Sequence, residues 1–137
     1  MRKTVTIDGK KMTLECNALL PRNYRNIFGR DLLRDMNKLI KDIKVGREKL
    51  ARKDIEDNPE LKEEILENIN LEFVENITWL MLRAAKNENG ECINDVKNTT
   101  EEWLASMDES MAVYYVMDDV ITLWIGSQKR TSIPKKK

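Results

Sequence analysis

The side chains that could do chemistry in this sequence are its cysteines and carboxylates, because none of its 137 residues is histidine. Histidine is the commonest general base and metal ligand, and it is the side chain that titrates near neutral pH. Its absence excludes a Ser-His-Asp or Cys-His catalytic set and any zinc site that uses histidine. The composition therefore favours a binding protein over an enzyme.

Neither the cysteines nor the adjacent carboxylates form a recognisable site. Cys16 and Cys92 stand alone, without CxxC or metal-binding spacing, and are expected to be reduced thiols. Asp118 and Asp119 are adjacent on a predicted helix, where neighbouring side chains do not face each other. The sequence contains no glycine-rich phosphate-binding motif. We therefore predict no catalytic residue, no metal and no cofactor, and we predict that the chain is not an enzyme.

The charged residues fall into blocks, although 24 basic and 24 acidic side chains give a net charge of zero. Residues 1–54 hold 15 basic and 7 acidic side chains, residues 55–119 hold 4 and 17, and residues 120–137 hold 5 and none. Such blocks can steer a partner or pair one part of a fold with another, and they leave self-association open. The basic first third could contact nucleic acid, but the balanced overall charge and the lack of a recognised module disfavour this partner.

The apolar pattern predicts an α+β protein, predominantly α-helical, in which an N-terminal β-hairpin precedes a bundle of four to five helices. Residues 3–16 alternate as two strands do, and Asp8-Gly9 between them is a strong hairpin signal. Pro21 suits the first turn of a short helix, and Gly29 suits its left-handed end. The hairpin needs helices or another strand against its apolar face, because two strands alone are marginal in water.

The second predicted helix starts at Asp31, whose carboxylate can cap the first turn. Its apolar residues recur every three or four positions, and Leu33 and Ile40 are expected to widen that apolar face. Gly46 lies on the same face, so the helix is expected to end or bend there. Residues 44–59, which are dense in charge, are expected to form a mobile connection.

Three further helices are predicted, from about Pro59 to Lys86, from Thr100, and over roughly Glu109–Ser127. Together with the hairpin they would form a single domain over residues 1–130. The basic tail, residues 131–137, is expected to be disordered. No apolar run approaches the roughly 20 residues that span a bilayer, and no signal peptide is recognised, so no membrane contact is expected.

Aromatic and methionine side chains are first of all core residues, but neighbouring positions on a helix cannot all face inward. Tyr114 and Tyr115, with Met111 and Met117 nearby, therefore predict that part of the last helix contacts another chain. The turn over residues 24–28 is a second expected contact surface. The candidate protein-binding residues are Tyr24, Phe28, Arg30, Trp103, Met111, Tyr114, Tyr115, Met117 and Trp124.

Several segments occur in a characteristic order. Pro21–Leu33 is the most specific, and the hairpin residues Val5–Lys10 precede it. Glu102–Leu104, the apolar helix that reaches Leu123-Trp124, and Pro134–Lys137 follow it. In this order and spacing, the chain resembles the tail assembly chaperones of long-tailed bacteriophages that infect Gram-positive hosts.

The resemblance implies a non-enzymatic role in building the phage tail. Such proteins coat the tape-measure protein before the tube forms, keep its apolar helical segments soluble and help to recruit tail-tube (major tail) protein. They act in the host bacterial cytoplasm and are not expected in the mature virion. The family also makes a longer product by ribosomal frameshifting, and the A-rich codons of Lys135–Lys137 are compatible with a slip site near the end of a short form.

An alternative function remains open from the residues themselves. The chain could be a small phage or bacterial adaptor or regulatory protein whose basic N-terminal third binds nucleic acid. Phosphate neutralisation needs little more than a patch of basic side chains, and Arg22, Arg25, Arg30 and Arg34 recur at spacings of three to five residues.

Overall fold

The computed structural model describes residues 1–52 and 68–128, and it confirms an α+β, predominantly helical fold. Within these ranges no helix is both long enough and apolar enough to cross a membrane. The antiparallel strands are β1 (Arg2–Ile7) and β2 (Lys10–Glu15). The helices are α1 (Leu20–Phe28), α2 (Leu32–Arg52), α3 (Leu71–Ala84), α4 (Thr100–Ala105) and α5 (Met117–Ser127), with a 3₁₀ turn at Tyr114–Val116.

The hairpin has the pairing that its alternation predicts. Val5 lies opposite Met12, and both are buried with Ile7 on the face that meets the helices. Asp8 and Gly9 form the turn with φ values of 54° and 78°, the left-handed backbone that a tight two-residue hairpin turn requires. β2 packs against α3, while β1 packs against α5 and the 3₁₀ turn. These contacts supply the cover that an isolated hairpin lacks.

The boundary between α1 and α2 also follows the sequence signals. Pro21 lies in the first turn of α1, and Gly29 ends that helix with a φ of 69°. The Asp31 carboxylate accepts a hydrogen bond from the N–H of Leu33 at 3.0 Å and thereby caps α2. The Leu33 side chain itself is 50% exposed, so the prediction that it widens the buried face is wrong. Its position in the first turn directs it to solvent, away from the side that packs on the core.

The prediction that α2 ends at Gly46 is also wrong. The helix continues through Gly46 to Arg52, so the expected mobile connection over residues 44–59 is helical as far as residue 52. Lysine, arginine and glutamate surround the glycine, and their high helix propensity offsets the cost of about 1 kcal/mol for one glycine in a helix interior. Residues 53–59 lie outside the described residues.

The helix predicted from Pro59 to Lys86 does not extend through residue 70. Asn70 has an extended backbone, and its side chain accepts a hydrogen bond from the N–H of Phe73 at 3.1 Å, which starts α3 at Leu71. The earlier part of the prediction lies in residues 53–67, outside the described residues. α3 is the central helix, and it contacts β2, α1, α4 and α5. Its buried side chains are Phe73, Val74, Ile77, Thr78, Trp79, Leu80, Met81 and Leu82.

The last predicted helix, Glu109–Ser127, is two elements instead of one. Residues 110–113 form turns, the 3₁₀ turn follows, and α-helix begins only at Met117. The run of valine and tyrosine over residues 113–116 explains the difference, because β-branched and aromatic side chains lose rotamer freedom in an α-helix. The predicted basic tail, residues 131–137, lies outside the described residues.

The Asn94 side chain completes the outer edge of β2. Its Oδ1 accepts a hydrogen bond from the N–H of Thr13 at 2.9 Å, and its Nδ2 donates to the carbonyl oxygen of Thr13 at 2.8 Å. The same Nδ2 donates to the carbonyl oxygen of Leu82 at 2.7 Å, near the end of α3, where helix carbonyls lack intrahelical partners. One side-chain amide therefore acts as a partner strand for β2 and joins the hairpin to α3.

Replacing Asn94 with alanine should lower the free energy of unfolding by about 2–3 kcal/mol, because the N–H and carbonyl of Thr13 lose their side-chain partner and the Leu82 carbonyl keeps only the weak donor Cys92 Sγ at 3.3 Å. Urea denaturation followed by circular dichroism measures this loss. Asn89→Ala is the matched control, since Asn89 is exposed in the turn after α3, and we expect a change of less than about 0.5 kcal/mol. Equal stability of the two variants would show that Asn94 does not hold this edge.

Candidate protein-binding site

A groove of about 400 Å³ lies between the end of α1, the first half of α3 and the start of α4. Its volume lies within the roughly 300–1,000 Å³ that is usual for ligand clefts. We call it the acidic groove and define it by an apolar floor and a charged rim. The floor consists of Ile27, Phe28, Trp79 and Leu104. The rim carries the carboxylates of Glu72, Glu75 and Glu101.

The aromatic floor of the groove is held in a fixed orientation. The Phe28 ring lies 5.1 Å from the Tyr24 ring and 6.1 Å from the Trp79 ring between centroids, the second contact being edge-on. Tyr24 in turn contacts Phe73 edge-on at 5.7 Å. The indole Nε1 of Trp79 donates a hydrogen bond to the carbonyl oxygen of Lys97 at 3.0 Å. Edge-on contacts of this kind are favourable, so the floor is rigid before any partner arrives.

A buried carboxylate supports the floor from below. Asp35 accepts a hydrogen bond from the Tyr24 hydroxyl at 2.7 Å and from Arg30 Nε and Nη2 at 2.7 and 2.9 Å. The two hydrogen bonds from Arg30 hold the pKa of Asp35 below its ordinary value. Burial, together with the hydrogen bond to Asp35, raises the pKa of Tyr24. This Tyr24–Asp35–Arg30 network joins α1 to α2 and fixes the ring on which Phe28 packs.

The rim carboxylate of Glu75 is also fixed in position. It accepts a hydrogen bond from the hydroxyl of Tyr114 in the 3₁₀ turn. Burial, and then this carboxylate, raise the pKa of Tyr114 to about 12, so the phenol remains a donor at neutral pH. The contact ties the 3₁₀ turn to α3 beside the groove.

The ionisable side chains that line the acidic groove are carboxylates. No lysine or arginine is among the described residues that line it. Arg30 pairs with Asp35, and the Arg83 guanidinium lies over the Trp79 ring, 5.8 Å from its centroid. Glu75 accepts the hydrogen bond from Tyr114, whereas Glu72 and Glu101 are exposed. The groove therefore presents apolar rings framed by two exposed carboxylates.

One buried polar atom in the groove wall lacks a partner. Thr100 lines the groove at the start of α4, and its Oγ1 is inaccessible to solvent but makes no hydrogen bond within residues 1–52 and 68–128. The preceding residue, Thr99, is the N-cap and accepts from the N–H of Glu102 at 3.1 Å, and α4 begins at Thr100 as predicted. Buried polar groups are normally hydrogen-bonded, so this hydroxyl is an exception among the described residues.

The structure brings four of the nine predicted binding residues to the acidic groove. Phe28 forms part of the floor, Tyr24 and Arg30 support it through Asp35, and Tyr114 holds Glu75. Only Phe28 among these four offers its side chain to the groove floor. Tyr24 is 1% exposed and acts from within the core.

The other five predicted residues are elsewhere and differ in accessibility. Trp103, Met117 and Trp124 are buried in the core, so their side chains are not on a surface that a partner could contact. Met111 is half-buried, whereas Tyr115 is 71% exposed. The Tyr114 side chain therefore faces α3, and the Tyr115 side chain faces solvent.

Sequence reasoning missed the residues that make the groove. Trp79 lies on a helix with apolar residues on almost every side, and nothing in that pattern shows that its ring lines a groove. Glu72 and Glu101 resemble ordinary acidic residues in the first turn of a helix, where they interact favourably with the helix dipole. Only the packing of α4 on α3 places these carboxylates around the same rings.

A second groove, of about 650 Å³, lies between α2 and α5. Its floor is formed by isoleucines, among them Ile43 and Ile121. The rim carries both signs of charge, and Arg47 Nη2 pairs with Asp118 Oδ1 at 2.9 Å. Both side chains of that pair are more than half exposed, so the ion pair adds little stability.

The described residues show no group suited to a metal ion and no pair of facing thiols. They contain no group of three or more Cys, Asp and Glu side chains that could hold a metal. Both cysteines are free, and burial raises the pKa of the Cys16 thiol, which donates a hydrogen bond to Ser127 Oγ at 3.1 Å.

The chain matches no protein-family model, no curated protein and no solved structure. The acidic groove is therefore the main feature on which a functional interpretation can rest.

Replacing Asp35 with asparagine should lower the free energy of unfolding at pH 7 by about 2–3 kcal/mol, because the charged acceptor for Arg30 and Tyr24 is lost. A carboxyl with a lowered pKa stabilises the fold above its unfolded pKa, and that stability is lost as the pH falls through the folded pKa. The difference between the wild type and Asp35→Asn should therefore be constant above about pH 5 and shrink below about pH 4. Urea denaturation between pH 3 and 7 measures it.

Asp42→Asn is the matched control, since it makes the same change on the same helix. Asp42 pairs with Lys38 at 2.9 Å near the surface, and such pairs contribute about 0.5 kcal/mol or less. If the loss of unfolding free energy in Asp35→Asn does not depend on pH, the Asp35 carboxylate does not stabilise the fold through its charge.

Proposed function

We propose that this chain is a phage tail assembly chaperone, the short form of a frameshifted pair. It binds the tape-measure protein in the host bacterial cytoplasm, keeps it soluble and helps to recruit tail-tube protein. It leaves before the virion is complete, and it performs no catalysis. The resemblance of the ordered segments supports this proposal, and the structural observation that carries it is the acidic groove.

The groove lies at the segment whose sequence resemblance is most specific. Phe28 and Ile27 belong to Pro21–Leu33, and Asp31 and Asp35 set the geometry of the turn beneath them. A long helical client exposes apolar stripes that aggregate unless they are covered. Grooves with apolar anchors bind such helices through residues that recur every three or four positions. The groove is therefore of the kind that a helix-binding chaperone requires.

A single groove of this size gives weak binding, and the proposed function needs no more. Many copies on one long client act together, because each bound copy raises the local concentration of the next contact. Weak individual contacts also allow the copies to leave when tail-tube subunits arrive. A preformed but modest site fits this reversible role.

Co-expression with the tape-measure protein from the same phage tests the function. We expect the soluble fraction of the client to rise several-fold with the wild-type chain, because its apolar helices are covered, compared with an unrelated protein of similar size. Centrifugation and quantification of the client in the supernatant measure this. A client that is no more soluble with the chain than with the unrelated protein would refute the proposed function.

Two variants test whether the groove floor contacts the client in that assay. Ile27→Asp places a charge on the floor, while Leu19→Asp makes the same kind of change outside it; the two residues are 53% and 57% exposed. We expect Ile27→Asp to lower client solubility and Leu19→Asp to leave it unchanged. Full activity of Ile27→Asp would assign the chaperone activity to another surface.

A nucleic-acid-binding adaptor is the alternative, and one observation favours it. Arg34, Lys38, Lys41 and Lys44 are exposed along α2, so a row of basic side chains is available for phosphate contacts. Lys38 already pairs with Asp42, which weakens that row by one charge. The same stretch of α2 also carries Glu48 close to its basic residues, and no base-reading module is recognised.

The genome that encodes the chain discriminates between the two functions. We expect its gene between the tail-tube and tape-measure genes, with an A-rich slip site near the lysine codons and an overlapping downstream frame. Nucleotide sequencing checks all three features. A position within a regulatory gene cluster, together with a gel shift of duplex DNA at low salt, would favour the adaptor.

A further inference from the structure

We propose that the acidic groove recognises a basic amphipathic helix: one apolar side chain packs against Ile27, Phe28 and Leu104, and Lys or Arg side chains one turn away on either side pair with Glu72 and Glu101. This inference rests on the proposed function only in naming the tape-measure protein as the source of that helix. The chemical argument for a basic helix does not depend on which protein supplies it.

The floor supplies an apolar anchor site. Phe28 and Leu104 are half-buried, and Ile27 is 53% exposed at the edge of the α1 turn. The rings are held from behind by Tyr24 and by the hydrogen bond of Trp79 to Lys97. A rigid apolar surface loses little conformational entropy on binding, so even a small contact area contributes to affinity.

The rim sets the charge of the ligand. An apolar or acidic ligand would remove water from Glu72 and Glu101 without giving them a partner, and such desolvation is costly. Within the described residues, Arg30 pairs with Asp35 and Arg83 lies over the Trp79 ring, and neither forms an ion pair with Glu72 or Glu101. A lysine or arginine can lay its methylene groups on the rings and keep its charge at the rim. The groove therefore selects for positive charge.

The positions of the carboxylates set the spacing in the ligand. Glu72 lies on α3 and Glu101 on α4, so the apolar floor lies between two walls that each carry a carboxylate. On a helix, residues three or four positions from an apolar anchor flank it on the same face. Basic residues at these positions can therefore reach both walls at once.

The other exposed apolar surfaces do not combine an apolar floor with charge of a single sign. The groove between α2 and α5 has rim charges of both signs, which select for neither sign in a partner. Tyr115 is exposed by itself on the 3₁₀ turn. The acidic groove is where shape, apolar surface and charge of a single sign coincide.

The test uses two synthetic peptides of about 18 residues, long enough to form helices. One carries an apolar leucine face with lysine on the flanks, and the other has glutamate in place of every lysine. Binding to the ¹⁵N-labelled full chain is followed by the indole N–H signals of its three tryptophans. We expect the lysine peptide to shift the Trp79 signal saturably while Trp124 stays unchanged, and this binding should weaken as salt is raised.

The decisive variant is Glu72→Gln with Glu101→Gln, which removes the two exposed rim charges and keeps the side-chain shapes. We expect it to weaken binding of the lysine peptide about five-fold. The matched control is Glu88→Gln with Asp95→Asn, the same change in net charge at exposed positions outside the groove, and it should bind within about two-fold of the wild type. Equal binding by the two double variants, or equal binding of the glutamate peptide, overturns the proposal.

Two other occupants would also overturn it. If changing Lys135, Lys136 and Lys137 to glutamine in the full chain tightens peptide binding, the basic tail of the chain occupies the groove. If the chain sediments as an oligomer that Glu72→Gln with Glu101→Gln dissociates, the occupant is a second copy. Loss of client solubilisation by the groove variant alone supports the proposal. A wild type that fails to solubilise the client while it binds the lysine peptide refutes the proposed function and leaves the groove assignment intact.

Discussion

The constraint on which the structure depends is that α3 needs cover on almost every side. A helix with apolar residues around most of its circumference cannot rest on one surface, as an amphipathic helix does. β2, α1, α4 and α5 all contact it, and each brings its own apolar face. Buried apolar surface is worth about 25 cal/mol per Å², so this enclosure is the main favourable term in folding. The acidic groove is the place where the enclosure stays incomplete, and there the half-buried Phe28 ring packs against the buried Trp79 ring.

When short elements enclose a helix, polar backbone groups are left without partners at the ends of the elements and in the loops between them. Three side chains satisfy many of them: Asn94 serves Thr13 and Leu82, Asp8 accepts from two N–H groups in the loop before the 3₁₀ turn, and Asn70 caps α3. Each of these side chains lies in a turn or loop and makes hydrogen bonds that join this turn or loop to a strand, a helix or another loop. The fold therefore uses small polar residues to connect segments that its apolar residues bring together.

Local signals in the sequence predict local structure well. The hairpin turn at Asp8-Gly9, the left-handed Gly29 and the cap at Asp31 each depend on a few neighbouring residues, and each is confirmed. Gly46 and the start of α3 are different, because helix propensity and capping compete there over longer stretches. The groove could not be predicted in the same way. Its carboxylates and rings come from three segments, and only packing on α3 brings them together.

The two ends of the described fold lie side by side. Met1 exchanges backbone hydrogen bonds with Cys16 through its amino group at 3.1 Å and its carbonyl at 2.9 Å, and the Cys16 thiol bonds Ser127. Met1 also lies against Gly126, where a β-carbon would come within 3.2 Å of its sulfur. A pulling force applied between these ends would first load the contact of the hairpin with α5, before it reached the packing around α3. Drawing the two ends apart therefore requires the loss of the Met1–Cys16 and Cys16–Ser127 hydrogen bonds.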